Sequence, residues 1–277
     1  MKAVLTIAGS DSSGGAGIQA DLKTIIAHRL FGESVITALT AQNTTGVFGV
    51  MDVDPAFVGA QMDAVFDDIR PDAVKIGMVS SPDIVRAIAD GLRRHHACNI
   101  VVDPVMVATS GAAVDALVAE LFPLADVVTP NIPEAEALAG MKIASADDVE
   151  RAAELIAERC IAAAETSPDM DATPRVPAIM VKGGHGVGAP DAADDYLRMA
   201  GGEHVWLRGR RVETANTHGT GCSLSSAVAC GLAQGFSVDV AVREAKAYVA
   251  GALGAGLDLG RGSGPLNHMW RYGQPPC

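Results

Sequence analysis

Apolar residues recur along this chain in two rhythms that take turns. "AVLTIAG" (3–9) is a short continuous apolar run ending in glycine, which predicts a buried strand. "GIQADLKTIIAHRL" (17–30) then spaces its apolar residues at helical intervals. "SVITALTA" (34–41) is β-branched and strand-like, and "PAFVGAQMDAVFDDI" (55–69) opens on proline, a favoured first helical residue. The alternation continues with a strand at 72–78, a helix at 81–95, and strands at "NIVVDPVM" (99–106) and "ADVVTPN" (125–131), stopped by Pro104 and Pro130. Helices follow at 133–140 and 145–160, the second with Ser145 as N-cap and Asp148 completing a capping-box variant. "PAIMVKGG" (177–184) is a strand into a glycine turn, 194–209 a hairpin, and 220–234 and 238–256 are helices before a glycine-rich tail.

Apolar strands alternating with helices predict an α/β fold, a parallel sheet covered on both faces. Such sheets bind ligands at the C-terminal ends of their strands. The polar, proline-rich "AETSPDMDATPRVP" (164–177) reads as a mobile surface insertion, so residues 1–277 are expected to form one domain.

Composition narrows the function. The chain is 49% hydrophobic, 4% aromatic and 19% charged, which suits tight helix-on-sheet packing. Its net charge of −12, with no basic block beyond Arg208–Arg211, argues against a nucleic-acid partner. No stretch approaches the roughly 20 apolar residues of a membrane span. The start is too short in apolar residues for a signal peptide, and five scattered cysteines without CxxC spacing suit a reducing, cytoplasmic setting.

Several motifs carry chemistry. In "AGSDSSGGAGIQAD" (8–21), Gly15-x-Gly17-x-x-Ala20 matches a dinucleotide fingerprint only formally, because Gly15 lies too far beyond the strand end at Gly9. A loop folded over a small ligand fits better, with Asp21 either bonding that ligand or complementing the helix dipole. No GxxxxGK[ST] is present, so any ATP is held without a Walker-type loop. Asp103, Asn131 and Glu134 fall at neighbouring strand ends. They could hold Mg²⁺ or its waters beside phosphates, although Asn131 before Pro133 also suits a helix N-cap. Lys182 ends a strand before two glycines, a place for an anion contact. In "NTHGTGCSLSSA" (216–227), Gly219 and Gly221 bracket Thr220 at a helix start, so backbone amides and helix dipole make an anion site. The same position is expected to lower the pKa of Cys222 and suit it to take a hydroxyl proton. The alternative for Cys222 is a small buried hydrophobe, as expected of Cys230.

With these blocks in order, from "TIAGSDSSGGAGIQADLKT" through "VITALTAQNTTGV", "VVDPVM" and "TPNIPEAEAL" to "GSGPLNH", nearly the whole chain resembles the ribokinase-like superfamily. Within it, it looks like the hydroxymethylpyrimidine/phosphomethylpyrimidine kinases of thiamine biosynthesis. The resemblance implies a three-layer α/β/α fold with a mostly parallel sheet and a small β flap over the substrate. It implies ATP as co-substrate, Mg²⁺ as cofactor, an aminopyrimidine as acceptor and a homodimer. It assigns Gly219, Thr220, Gly221 and Cys222 to the anion hole, with Cys222 where the superfamily usually has an Asp and as candidate base. Lys182, Asn131 and Thr217 fall at the ATP phosphates, Asp103 and Glu134 at the metal, and Gly9, Asp21, Gln42 and Met78 at the pyrimidine pocket. Gln42 suits that edge, since one amide offers a donor and an acceptor. The 164–177 insertion and "GVGAPDAADD" (186–195) depart from the pattern near the nucleotide. Rival readings are a pyridoxal or pyridoxine kinase on the same scaffold, an NAD(P)-dependent oxidoreductase using Gly15 and Gly17, and a ligand sensor without catalysis.

Overall fold

The alternating segments assemble into an eight-stranded sheet with helices on both faces, as seen in a computed structural model describing residues 1–105, 111–165, 176–183, 187 and 189–273. In chain order the elements are β1 (Ala3–Ala8), α1 (Gly17–Ala27), β2 (Phe31–Ile36), β3 (Ala38–Asn43), β4 (Gly46–Asp52), α2 (Pro55–Phe66), β5 (Ala73–Ile76), α3 (Pro82–Arg94), β6 (Ile100–Val102), α4 (Gly111–Ala116), β7 (Val127–Val128), α5 (Ile132–Ala139), α6 (Ala146–Glu165), β8 (Ala178–Val181), β9 (Asp195–Arg198), β10 (His204–Leu207), α7 (Thr220–Ala233) and α8 (Val238–Gly254). The sheet order is β10-β9-β8-β7-β6-β5-β1-β2, and β3 and β4 form a separate antiparallel pair. Pairing is parallel from β2 to β8 and antiparallel at β8-β9 and β9-β10.

Alternate strand residues face opposite layers. Leu5, Ile7, Val74, Ile76, Val102 and Val128 pack with α2, α3 and α6. Val4, Ala73, Val101 and Val127 pack with α7 and α8. Both faces are buried, which is why the strands read as continuous apolar runs. Each fully buried aliphatic side chain contributes roughly 1.5–3 kcal/mol. Packing rather than ladder length therefore holds strands as short as β6 and β7.

The flap differs from its expected extent. The run 34–41 is not one strand: Thr37 divides it, its N–H bonding Ala8 O and its hydroxyl bonding Met78 O. Residues before Thr37 stay in the main sheet, and those after it leave for the flap. The second flap strand, β4, carries no burial alternation because all seven residues are exposed, so periodicity offers no sign of it. The helical stretch after Gly111, continuing as a π-helical turn at Leu117–Leu121 and a 3₁₀ turn at Phe122–Leu124, is also absent from the expected elements.

Caps behave as expected. Ser145 and Asp148 exchange hydrogen bonds at the start of α6, which runs on to Glu165. Most of the 164–177 insertion lies outside the described residues. Among the described residues no helix is long and apolar enough to cross a membrane. The chain order reverses direction between β1 and β5, a switch point whose carboxyl ends are where open α/β sheets bind ligands.

Candidate active site

The first turn of α7 is built on Gly219, whose φ of +85° suits only glycine without strain. A β-carbon there would also collide with the Gly15 carbonyl, so the two glycine loops lock together. The leading amides of a helix lack intrahelical partners and carry its positive dipole end. They open here on a cleft of about 1470 Å³, lined among others by Asp103, Asn131, Glu134, Lys182, Thr217 and Cys222. The Thr217 carbonyl accepts from the Thr220 hydroxyl at 2.7 Å, and the His218 N–H bonds Gly264 O at 3.0 Å, pinning the loop to the tail. The position of an added β-carbon on Gly221 lies 3.3 Å from Lys182 Nζ and 3.5 Å from Asp103 Oδ2. A helix N-terminus, an ammonium and a carboxylate thus meet at one point.

At that point Lys182 Nζ donates to Asp103 Oδ1 at 2.7 Å and stands 3.9 Å from Glu134 Oε2. Burial opposes the charge of Lys182, but Asp103 and Glu134 outweigh it and hold its pKa above the ordinary lysine value. Asp103 also accepts from Thr129 at 3.2 Å. Asn131 caps α5: its side chain accepts from Glu134 N–H at 2.9 Å, and Glu134 Oε2 accepts from Asn131 N–H at 2.7 Å. The capping alternative for Asn131 is the one observed.

Asp21 departs from expectation. It is fully buried, neither at a cavity wall nor acting as a dipole partner at the surface. Its carboxylate accepts from Thr6 (2.6 Å), Ser226 (2.7 Å) and Lys75 Nζ (2.8 Å). Lys75 is wholly buried too, in the space that the missing side chain of Gly77 leaves. Burial disfavours its charge, yet Asp21, with Asp103 beyond it, keeps it firmly ionised. Lys75 is not among the residues the sequence singles out, although a lysine inside the apolar run "DAVKIGM" is a visible sign.

Cys222 sits where expected but is not acidic as expected. It lies at the cleft floor rather than in open solvent, and burial pushes its thiol up to about 11. Asp21 and Asp103 add to that; Lys75 and the Gly17 N–H pull the other way without prevailing. Desolvation wins over the favourable helix end. Cys230 is buried, as expected.

Two of the residues expected at the ring, Gly9 and Met78, lie together at the switch point. The Met78 methyl fills the space a side chain on Gly9 would need, joining the ends of β1 and β5. Gln42 projects from the flap and lies 3.3 Å from His218 Nε2. His218 also bonds Asp11 at 2.8 Å and lines the large cleft, so it connects Gln42 on the flap to the glycine loop and the cleft. Neither His218 nor Asp11 is among the residues the motifs single out. Beside Cys222, Ser223 bonds a buried His268 at 2.9 Å, and burial lowers that imidazole to about 4.

Among the described residues no three acidic, histidine or cysteine side chains converge on one ion. The donor set nonetheless suits Mg²⁺, which commonly takes one or two carboxylates and completes its shell with waters and phosphate oxygens.

The model of the phosphomethylpyrimidine kinase family matches residues 11–267. The chain is 51% identical over 276 residues to a hydroxymethylpyrimidine/phosphomethylpyrimidine kinase of Rhizobium meliloti, covering 97% of each. It is 46% identical over 272 residues to the thiamine biosynthesis bifunctional protein ThiED of Geobacter sulfurreducens, covering 96% of this chain and 52% of that protein. Among solved structures, the ADP complex of Bacillus subtilis pyridoxal kinase superposes with a TM-score of 0.85 at 33% identity, covering 98% of this chain and 99% of that one. The fold is accordingly ribokinase-like, and the chain belongs to the phosphomethylpyrimidine kinase family.

Proposed function

We propose that this kinase transfers the γ-phosphoryl group of ATP to the 5-hydroxymethyl group of 4-amino-5-hydroxymethyl-2-methylpyrimidine. It then phosphorylates that product to the diphosphate, in thiamine biosynthesis, with residues 1–277 acting as one catalytic domain. The observation that carries this is the meeting of the α7 N-terminus with Lys182 and Asp103 in a cleft whose wall residue His218 lies 3.3 Å from Gln42.

In this reading the amides of Gly219, Thr220 and Gly221 hold the transferring group, and Lys182 turns from Asp103 to the phosphates. Thr217 and Asn131 border the nucleotide path. Asp103 and Glu134 would hold Mg²⁺, directly or through water, and it would supply neutralisation of the phosphate charge. Met78 and Gly9 pack the ring, and Gln42 bonds its edge. Asp21 supports the site through Lys75 and Ser226 instead of touching the ring. Cys222 takes the hydroxyl proton in the first transfer. Its raised pKa makes the thiolate scarce at neutral pH but strongly basic once formed. The second transfer starts from a phosphate oxygen and needs little or no deprotonation.

A second reading, a pyridoxal-type acceptor, is favoured by the close superposition on pyridoxal kinase. ATP consumption with each acceptor, with products identified by mass spectrometry, tests both. Sequential mono- and diphosphate from the aminopyrimidine are expected, and no turnover with it defeats the main reading. Leu39, Val47, Phe48, Val50 and Met51 are exposed on the flap and suit burial in a homodimer, which light scattering would measure. The free thiols of Cys98, Cys160 and Cys222 suit a reducing compartment such as the cytoplasm.

A further inference from the structure

Asp11 gathers the glycine loop around one carboxylate. Its Oδ1 accepts from the Ser13 N–H and hydroxyl, each at 2.8 Å. Its Oδ2 accepts from Gly15 N–H at 3.0 Å and Ala16 N–H at 2.8 Å. Burial raises its pKa, but the bonds from Ser13, His218 and Ala16 outweigh that and hold it below the usual carboxylate range. An ionised carboxylate has no proton to give. His218 Nε2, 2.8 Å from Oδ2, is therefore the donor, whether the imidazole is neutral or charged. The ring is held against Gly15, where a β-carbon would strike Cδ2.

That proton decides the neighbouring amide. One end of the Gln42 carboxamide lies 3.3 Å from His218 Nε2, and the other lies 3.3 Å from Thr40 Oγ1. The Thr40 hydroxyl has one hydrogen, and Ser10 O takes it at 2.8 Å. Thr40 can then only accept from Gln42, while His218 Nε2, whose one N–H points to Asp11, cannot accept and can only share that hydrogen. An amide nitrogen at the His218 end would set donor against donor. A half-turn of the amide, whose two ends have the same shape, removes that clash, gives Thr40 a donor and lets the carbonyl share the Nε2–H with Asp11. The carbonyl then faces His218 and the NH₂ faces Thr40.

We propose that His218 is a positioning residue for the acceptor ring: it holds the Gln42 carbonyl toward the Gly219–Cys222 loop and so sets which way round the ring lies. This rests on the reading of Gln42 as the residue that bonds the ring edge. On that edge the ring nitrogen N3 accepts, the adjacent 4-amino group donates, and the carbon bearing the hydroxymethyl group comes next. With its carbonyl on the His218 side, Gln42 receives the amino group there and gives its N–H to N3 on the Thr40 side. The hydroxymethyl group then extends past His218 toward Gly219 and Cys222. The opposite amide orientation would aim it at Thr40 and Ser10, away from the phosphate site.

The test uses the 4-oxo analogue of the pyrimidine, which offers N3–H as donor and the oxo group as acceptor, the inverse pattern. Sites that hydrogen-bond a substrate reject a mismatched analogue by as much as about 10⁴-fold. Dissociation constants for the amino and oxo compounds are measured in the wild type, His218→Phe and Gln42→Leu. A wild-type preference for the amino compound that narrows at least about tenfold in His218→Phe supports the proposal. An unchanged ratio, with both compounds weakened equally, overturns it. If Gln42→Leu alone leaves amino-compound binding untouched, the ring-edge reading of Gln42 is what fails, and this proposal falls with it. A second measurement needs no variant: in the labelled wild-type protein the Gln42 side-chain NH₂ should show nuclear Overhauser contacts to Thr40. Contacts to the His218 ring in their place overturn the proposal.

Discussion

Two lysine–aspartate pairs lie against the α7 helix, and they look alike in isolation. Lys75 meets Asp21 at 2.8 Å and Lys182 meets Asp103 at 2.7 Å. Successive serines of α7 reach each carboxylate, Ser226 to Asp21 and Ser225 to Asp103. Exposure separates them. Both members of the first pair have no accessible side-chain surface, whereas Lys182 keeps 14% of its own, facing the cleft. A sealed pair cannot exchange its partner for a ligand; an open one can. The same chemistry is therefore locked into the scaffold at one site and left open to the cleft at the other.

Breaking the sealed pair should have the largest effect. Asp21→Ala leaves the Lys75 ammonium buried without its counter-charge, a change that costs about 3–5 kcal/mol. It should appear as a lowered denaturant midpoint with the unfolding slope unchanged. Lys182→Met also takes the partner from a buried carboxylate, but Asp103 keeps Thr129 and Ser225 and borders the cleft, so this variant should lose less stability than Asp21→Ala and lose about 10²–10³ in kcat/KM for ATP. A variant at position 182 that unfolds, or one at position 21 that loses only activity, would erase the distinction between the pairs.

Cys222 stands between them and feels both. Cys222→Ala should slow the first transfer by about 10²-fold, the lower range for a general base, and the second less than tenfold. The pH dependence has a definite sign. Because burial raises the thiol to about 11, the thiolate fraction grows with pH right through the neutral range. The first transfer should therefore accelerate about tenfold per pH unit above neutrality, and the second should stay flat. Equal pH profiles for the two steps, measured separately by quenched flow, would remove Cys222 from the base role.

The smallest effect concerns neither pair. His268, bonded to Ser223, titrates near 4 when folded, below its ordinary value of 6.5. The unfolded chain thus binds one more proton between those values, so stability is complete above pH 6.5 and is lost as pH falls toward 4. The loss amounts to no more than about 3 kcal/mol. In His268→Gln the slope of unfolding free energy against pH should be shallower by that contribution over this window.

The pattern of apolar runs is enough to place nearly every strand and helix of the main sheet, because both faces are buried and each run must be apolar throughout. The flap escapes it: β4 is fully exposed, so no alternation marks it. Glycines and a cysteine at the start of α7 are legible because local backbone geometry demands them. Asp11 and His218 are not, and Lys75 shows only as a lysine within an apolar run, since the partners of all three are remote along the chain. Lys75 reaches Asp21 across 54 positions, and His218 reaches Asp11 across 207 and Gln42 across 176.

Local chemistry by itself determined that a helix opens at Thr220 behind a left-handed glycine, with a thiol in its first turn. It also determined that charged side chains stand at strand ends. Only the tertiary structure decided how those groups behave. Desolvation depends on what covers a residue, and that coverage came from distant segments. It sealed Asp21 against Lys75, left Lys182 facing the cleft, and turned a thiol expected to be acidic into one that holds its proton.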